Sequence, residues 1–316
     1  MSVQSEIDRL AGAKAGLSSW LSNNGVTVPA GTNLNGLVEL LEGLQMGSNK
    51  NLLHNWDFRN PINQRGSSSY TGAKYGIDRW YVATSSVTVE VVSGGVRFSN
   101  SGSSTGYVRQ LLEFATPSDE YCYTLLCSES TSESNTMYAG YADDTFSNSV
   151  PIAAGYNSVV TSGLKGVKRV QFNVAAGASV TLVAAKLERG SVSTLANDPP
   201  ADYGEQLALC QRFFTYIGST SVFTGIFGST TQARLYIPLP VSMRISAPTI
   251  TMPSSANLTC YTSSANAQYT ITGFSTSRAD RAYMIAHATI SSATAFKTWT
   301  SVSFRNEGYW DVSADL

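Results

Sequence analysis

The chain is short of charge. Only 14% of its 316 residues are Asp, Glu, Lys or Arg, and 21 basic residues against 22 acidic ones leave a net charge of −1. There is no field to condense on phosphates and no basic run interleaved with aromatics, which excludes a nucleic-acid binder on charge. No apolar run approaches the ~20 residues a membrane-spanning helix needs. The opening MSVQSEIDRLAGAK lacks the apolar region of a signal peptide, so assembly in a cytoplasm is the expectation. Histidine is scarcer still, with His54 and His287 the only two, and no G-x-S-x-G elbow, P-loop or H-E-x-x-H is present. Hydrolysis by a Ser-His-Asp set therefore has little to draw on; His287, inside MIAHATI, reads as a core or interface residue.

The cysteines are four: Cys122, Cys127, Cys210 and Cys260. With two histidines they form no cluster at zinc spacing. Cys122 and Cys127 share the run YCYTLLC, where strand alternation puts them on opposite faces and makes a disulfide between them poor geometry. All four read as reduced, mostly buried small apolar residues. Tandem repeats and a collagen-like run are missing too, so no long fibrous shaft is expected.

What the chain does have is Ser, Thr, Gly, Asn and Tyr in abundance, a composition suited to many short strands joined by turns. Residues 4–46 carry helical periodicity, with Ile7, Leu10, Leu17 and Leu21 on one stripe, a stop at Asn24-Gly25 and a second helix at about 35–46. Such a hairpin is too small to be a core by itself. It packs against its own copies or other proteins, or folds back on its own β-domain. Residues 49–199 read as strands, with hairpin turns predicted at Ser93-Gly94-Gly95 and at Ala176-Gly177-Ala178. At least eight such runs predict a two-sheet jelly-roll sandwich. Asp198-Pro199-Pro200 marks a boundary, followed by a connector helix with Tyr203, Leu207, Cys210 and Phe214 at helix spacing. Strand-like runs then return to the end. The expected fold class is mainly β: a helical segment over 1–48, the sandwich over 49–199, and a connector helix with a C-terminal β tip over 200–316.

Three stretches carry a family resemblance: NLLHNWDFRNPINQRG at 51–66, YGIDRWY at 75–81, and LVAAKLERGSVSTLANDPPADYGEQLALCQRFF at 182–214. Together they resemble bacteriophage and prophage tail-fibre or receptor-binding appendage proteins. LPVSMRISAPT at 239–249 and the C-terminal SADL also resemble the tips of phage fibres. The resemblance implies a place in a virion more than a chemistry. It implies a homotrimer, attached to other virion proteins through the N-terminal segment, that binds host-surface polysaccharide without cutting it. Three weak sites on one frame would then act by avidity. The alternative is a structural head-fibre, collar or baseplate component.

Several residues are candidates for chemistry. Asp143-Asp144, Asp78, Glu113 and Asp119-Glu120 could supply the carboxyl pair of a glycoside hydrolase, but Asp143-Asp144 looks like a turn and no β-helix repeat is present. NLLHNWDF also resembles the first strand of galactose-binding-like jelly rolls. By that likeness Asp57 and Glu188 would hold a structural calcium; Arg59 and Lys186 stand close enough in sequence to claim both carboxylates as ion pairs instead. No other cofactor is implied. Asp78-Arg79-Trp80 could present a stacking surface and donors to a sugar, or could be frame, with Trp80 in the core and Asp78 paired to Arg65 or Arg79. Receptor contacts are expected from the C-terminal part: Tyr309, Trp310, Trp299, Tyr261, Tyr269, and Phe223 and Phe227 in a loop over 223–228. Packing between subunits is the competing role for each.

Overall fold

Turn residues set between alternating apolar runs produce strands almost wherever the sequence predicts them. The computed structural model describes residues 3–23, 26–42, 48–72, 75–161, 163–217, 222–229, 231–251, 258–262, 268–279, 281–290, 301–306 and 310–314. The chain divides into two compact units, Met1–Asp202 and Tyr203–Leu316.

The first unit opens with helices α1 (Val3–Asn23) and α2 (Leu34–Glu42). Asn33 caps α2, its Oδ1 accepting the Gly36 N–H at 2.8 Å. The two helices meet through buried Leu21 and Leu37, with Leu17, Val26, Val28 and Leu40 packed around them. Ile7, Leu10, Trp20, Leu34 and Val38 stay exposed. Residues 43–47, the expected end of the second helix, lie outside the described residues.

Eleven strands follow: β1 (Ser69–Thr71), β2 (Tyr81–Val82), β3 (Val87–Val92), β4 (Gly95–Asn100), β5 (Gly106–Leu111), β6 (Tyr121–Ser130), β7 (Thr136–Tyr141), β8 (Val150–Pro151), β9 (Gly155–Val160), β10 (Val167–Val174) and β11 (Ser179–Arg189). They form a six-stranded sheet, β1-β3-β4-β11-β6-β9, and a five-stranded sheet, β2-β5-β10-β7-β8. All pairings are antiparallel, as a sandwich of this kind requires. Between the sheets Phe58, Trp80, Phe98 and Phe172 touch ring to ring, at 4.9 to 6.3 Å between centroids. Alternation sends Val108, Val170, Phe172, Met137 and Ala139 inward and leaves the intervening residues outward.

The two predicted hairpins part company. Ser93-Gly94 links β3 to β4 as a two-residue turn, with Gly94 at φ 79°, the left-handed conformation such a turn demands. Ala176-Gly177-Ala178 is not a hairpin: β10 lies in the five-stranded sheet and β11 in the six-stranded one, so this turn carries the chain from one layer to the other.

The stretches that carry the resemblance build the frame of this unit. Gln110 points inward and holds both the N–H and the carbonyl of His54, at 2.8 Å each. Buried Asn55 bonds Ile62 and Asp78 backbones, and the Trp80 indole donates to the Asn55 carbonyl at 2.9 Å. Lys186, fully buried on β11, lies 3.5 Å from Glu188 and donates to Ser48, Thr194 and Asp198. Glu188 in turn accepts from the backbone N–H and hydroxyl of Thr194.

The second unit starts with α3 (Tyr203–Gln211), the expected connector, whose Cys210 is buried. Phe214, expected on its last turn, opens a strand instead. The strands are β12 (Phe214–Ile217), β13 (Val222–Phe227), β14 (Gln232–Pro238), β15 (Thr249–Thr251), β16 (Leu258–Thr262), β17 (Gln268–Ala279), β18 (Tyr283–Ile290), β19 (Ser301–Asn306) and β20 (Trp310–Ser313). Six of them close into a barrel, β13-β14-β18-β17-β16-β19, beside a three-stranded sheet, β12-β20-β15. A six-stranded barrel has little interior room, and small buried residues suit it: Ala286 pairs with Leu235, and Ala233 with Ala288. LPVSMR serves as a staple here: Leu239 and Met243 are buried, and Arg244 Nε donates to the Ala314 carbonyl at 2.8 Å.

Candidate functional site

The most chemically distinctive surface is the outer face of the five-stranded sheet. Alternation along β5 turns Tyr107, Arg109 and Leu111 outward, along β10 Arg169, Gln171 and Asn173, and along β7 Thr136, Tyr138 and Gly140. Register then assembles them into rows. Tyr81, Arg109, Gln171 and Tyr138 stand side by side across four strands. Tyr107, Asn173 and Thr136 form the row beside them.

Aromatic and cationic groups alternate along this face. The Arg65 guanidinium lies 5.9 Å from the Tyr75 ring centre, Tyr75 lies 5.2 Å from Tyr81, and Arg109 sits 5.0 Å over Tyr81. On the far side Tyr138 meets Phe146 edge to face at 4.9 Å, and Arg169 lies 4.7 Å over Phe146. Gly140 makes that last contact possible, since a Cβ there would come within 2.6 Å of Arg169 Cγ. Polar groups fill the centre: Gln171 donates to the Tyr138 hydroxyl and to Asn173 Oδ1 (3.0 Å), and Asn173 donates to Thr136 (3.1 Å). Burial pushes the Tyr138 hydroxyl above the usual phenol range, against the pull of its Asn173 and Gln171 hydrogen bonds, so it stays a neutral donor and acceptor. Tyr107 is 42% exposed and Phe146 44%, so two rings stand clear of the sheet.

Charge on this face is unevenly answered. Arg65 is paired with buried Asp78 at 2.9 Å, and Arg169 with Asp144 at 3.0 Å. Among the described residues no carboxylate pairs with Arg109, and its Nε is buried without a hydrogen-bond partner.

A second concavity lies within the C-terminal unit, a cleft of about 610 Å3 where β12, β13 and β14 meet. Tyr216, Phe223, Tyr236, Pro238 and Pro240 give it an apolar lining, with Gln211, Thr215 and Thr224 as polar groups.

Of the residues expected to contact a receptor, Phe223 is in this cleft but only 7% exposed, because the segment 223–228 is mostly the strand β13 and not a loop. Phe227, Tyr261, Tyr269 and Trp310 lie on β13, β16, β17 and β20; their side chains, with Tyr309 and Trp299 entirely, lie outside the described residues. Asp78, Arg79 and Trp80 are all buried, which makes the triplet frame.

The two calcium candidates are taken by cations. Asp57 holds Arg59 through both oxygens, at 2.7 and 2.8 Å. Burial pushes the Asp57 carboxyl up, but the guanidinium and the Ala201 and Arg59 N–H groups outweigh it and leave it below the usual carboxylate range. Glu188 belongs to the Lys186 network. Among the described residues no group of His, Cys, Asp and Glu could hold a metal ion. Four of the carboxylates considered for hydrolysis are similarly engaged: Asp78 with Arg65, Asp143 with Lys165 at 2.6 Å, which lowers its pKa to about 2, Asp144 with Arg169, and Asp119 with Arg189. Asp143 and Asp144 do form a turn, Asp144 with φ 64°. Cys122, Cys127 and Cys210 are buried and in no disulfide, and the Cys260 side chain lies outside the described residues. His287 sits on β18 opposite Arg234; burial and that cation push its imidazole below the usual range. No described helix is long and apolar enough to cross a membrane.

The sheet-face site escapes a residue-by-residue reading because its parts sit in GYVRQL, TMYAGY and VKRVQFNV, each with only one or two suitable side chains. The signal that could have found it is the polar and aromatic character of every second position in three strands that turn out to be neighbours.

No family model matches the chain, and no curated protein does. Among solved structures, a mutant of the family 29 carbohydrate-binding module CBM29-2 aligns with 43% of this chain and 100% of its own, at 9% identity and a TM-score of 0.28. The tandem CBM22-1–CBM22-2 domain of Paenibacillus barcinonensis Xyn10C aligns with 86% of this chain and 100% of its own, at 8% identity and 0.30. An exo-β-agarase aligns over 46% of this chain and 25% of its own, at 11% identity and 0.28. Alignments this shallow identify no ligand for the present chain.

Proposed function

We propose that this chain is a non-enzymatic glycan-binding protein that uses the outer face of its five-stranded sheet. The observation that carries the reading is the row Tyr81–Arg109–Gln171–Tyr138, flanked by exposed Tyr107. Rings pack on the C–H faces of sugars, and hydroxyls need fixed amide and guanidinium partners; the sheet face offers both in register. Adjacent strands lie about 4.8 Å apart, so the row spans roughly 14 Å, room for more than one sugar. Phe227, Tyr261, Tyr269, Trp299, Tyr309 and Trp310 are proposed as further contacts from the C-terminal unit, together with the cleft that Phe223 lines.

The resemblance of residues 51–81 and 182–214 to phage appendage proteins supports placing this binding on a virion, with host-surface polysaccharide as the target and a homotrimer as the working form. Screening the full-length protein on an array of bacterial surface glycans tests the first part. Binding that disappears in Tyr107→Ala/Tyr138→Ala supports it, and an array with no signal for the unmodified protein overturns it.

A structural virion role is the second reading, favoured by the exposed Ile7, Leu10, Trp20, Leu34 and Val38 of the helical hairpin. Light scattering separates the two. A stable mass of about three chains fits the appendage, and a monomer that binds no glycan fits a component completed only by its neighbours.

A further inference from the structure

Resting on the glycan reading, we infer that the sheet face selects an acidic sugar, and that Arg109 receives its carboxylate or phosphate. The argument is one of unequal pairing. Of the three guanidinium groups on this face, Arg65 and Arg169 each have an aspartate at 2.9 and 3.0 Å. Arg109 lies in the middle of the row and has none among the described residues. Its Cζ lies 5.0 Å over the centre of the Tyr81 ring, within the range at which a cation and a ring face attract. With Nε buried, the two terminal Nη groups are the donors left for an anion, and a planar acid can take a charge-assisted hydrogen bond from each.

Its neighbours reinforce the choice. Gln171, next to Arg109 in the row, is uncharged and commits its amide protons to Tyr138 and Asn173, so it gives Arg109 no counter-charge. A half-buried cation without a counter-charge is a standing cost that an acidic ligand removes and a neutral one does not. Arg97, on the outer face of the six-stranded sheet, is a built-in contrast. It lies 3.8 Å from both Glu90 and Glu129, which already neutralise it. The chain's net charge of −1 argues against a general affinity for polyanions, so any preference must be local.

The test is calorimetric titration of the full-length protein with four polymers: polygalacturonate, its methyl ester, a poly(glycerol phosphate) and neutral dextran. Polygalacturonate or the phosphate polymer should bind at least tenfold tighter than the ester and dextran, the two acids telling carboxylate from phosphate. Arg109→Gln should lower the acidic affinity by about ten- to a hundredfold, a larger loss than it causes for any neutral polymer. Arg97→Gln should leave every affinity as it was. The ester comparison needs no variant, so a misfolded Arg109→Gln does not remove the test. Equal binding of acid and ester, or an Arg109→Gln protein that binds acids as tightly as the unmodified one, overturns the inference while glycan binding stands. If none of the polymers binds and a broad glycan array is also blank, the glycan reading falls and this inference with it.

Discussion

The two outer faces of the sandwich are built by the same alternation and end up chemically opposite. On the six-stranded sheet charge is answered internally: Arg97 lies between Glu90 and Glu129, and Lys186 is sealed among Glu188, Asp198, Thr194 and Ser48. On the five-stranded sheet rings alternate with cations, two rings stand exposed, and one guanidinium is left unanswered. A surface whose charges are paired holds a fold together, and one that leaves a donor open has room for a ligand to pair it. The same contrast explains why the motif residues are frame. Asn55, Asp78, Trp80, Lys186 and Glu188 spend their hydrogen bonds inside the protein.

The largest effect should come from breaking the closed side. Lys186→Met leaves two buried carboxylates without their cation, and chemical denaturation should record a loss of about 3–5 kcal/mol. Next, Tyr107→Ala/Tyr138→Ala on the open side should cost glycan affinity about tenfold or more, read by calorimetry, with the unfolding midpoint nearly unchanged. Acid should then sharpen the contrast. Because Asp57 binds its proton more weakly folded than unfolded, its contribution is complete above the unfolded carboxylate's pKa of about 3.9 and is lost as pH falls through the lower folded value. Thermal melts should therefore show the sandwich weakening below about pH 4. Asp57→Asn should weaken it already at neutral pH and flatten that acid limb. The smallest effect is expected at Arg97→Ala, an exposed pair worth at most about 1 kcal/mol, with glycan binding unaltered.

Much of this architecture is legible in the sequence, and the failures are instructive. Gly94 between two alternating runs announces the β3–β4 hairpin, because a two-residue turn joins strands that must pair. Gly177 sits in equally good turn chemistry yet joins strands of different sheets. Local turn signals fix a reversal of direction, not the layer in which the next strand lies. The ion pairs of Asp57 and Glu188 were open to reading because Arg59 and Lys186 lie two residues away. The sheet-face row was not, since Tyr81, Arg109, Tyr138 and Gln171 become neighbours only through the register of four strands. The dense aromatic segments of the C-terminal part are the stronger local signal, and Phe223 among them is both part of the core and a wall of the cleft.

The most direct test of the account compares the two faces in one experiment. Glycan affinity is measured by calorimetry for the unmodified protein, for Tyr107→Ala/Tyr138→Ala on the five-stranded sheet and for Arg97→Ala on the six-stranded one. The account predicts that the first variant loses binding while the second keeps it. Retention of full affinity by the Tyr107→Ala/Tyr138→Ala protein would contradict it and move the site to the C-terminal unit.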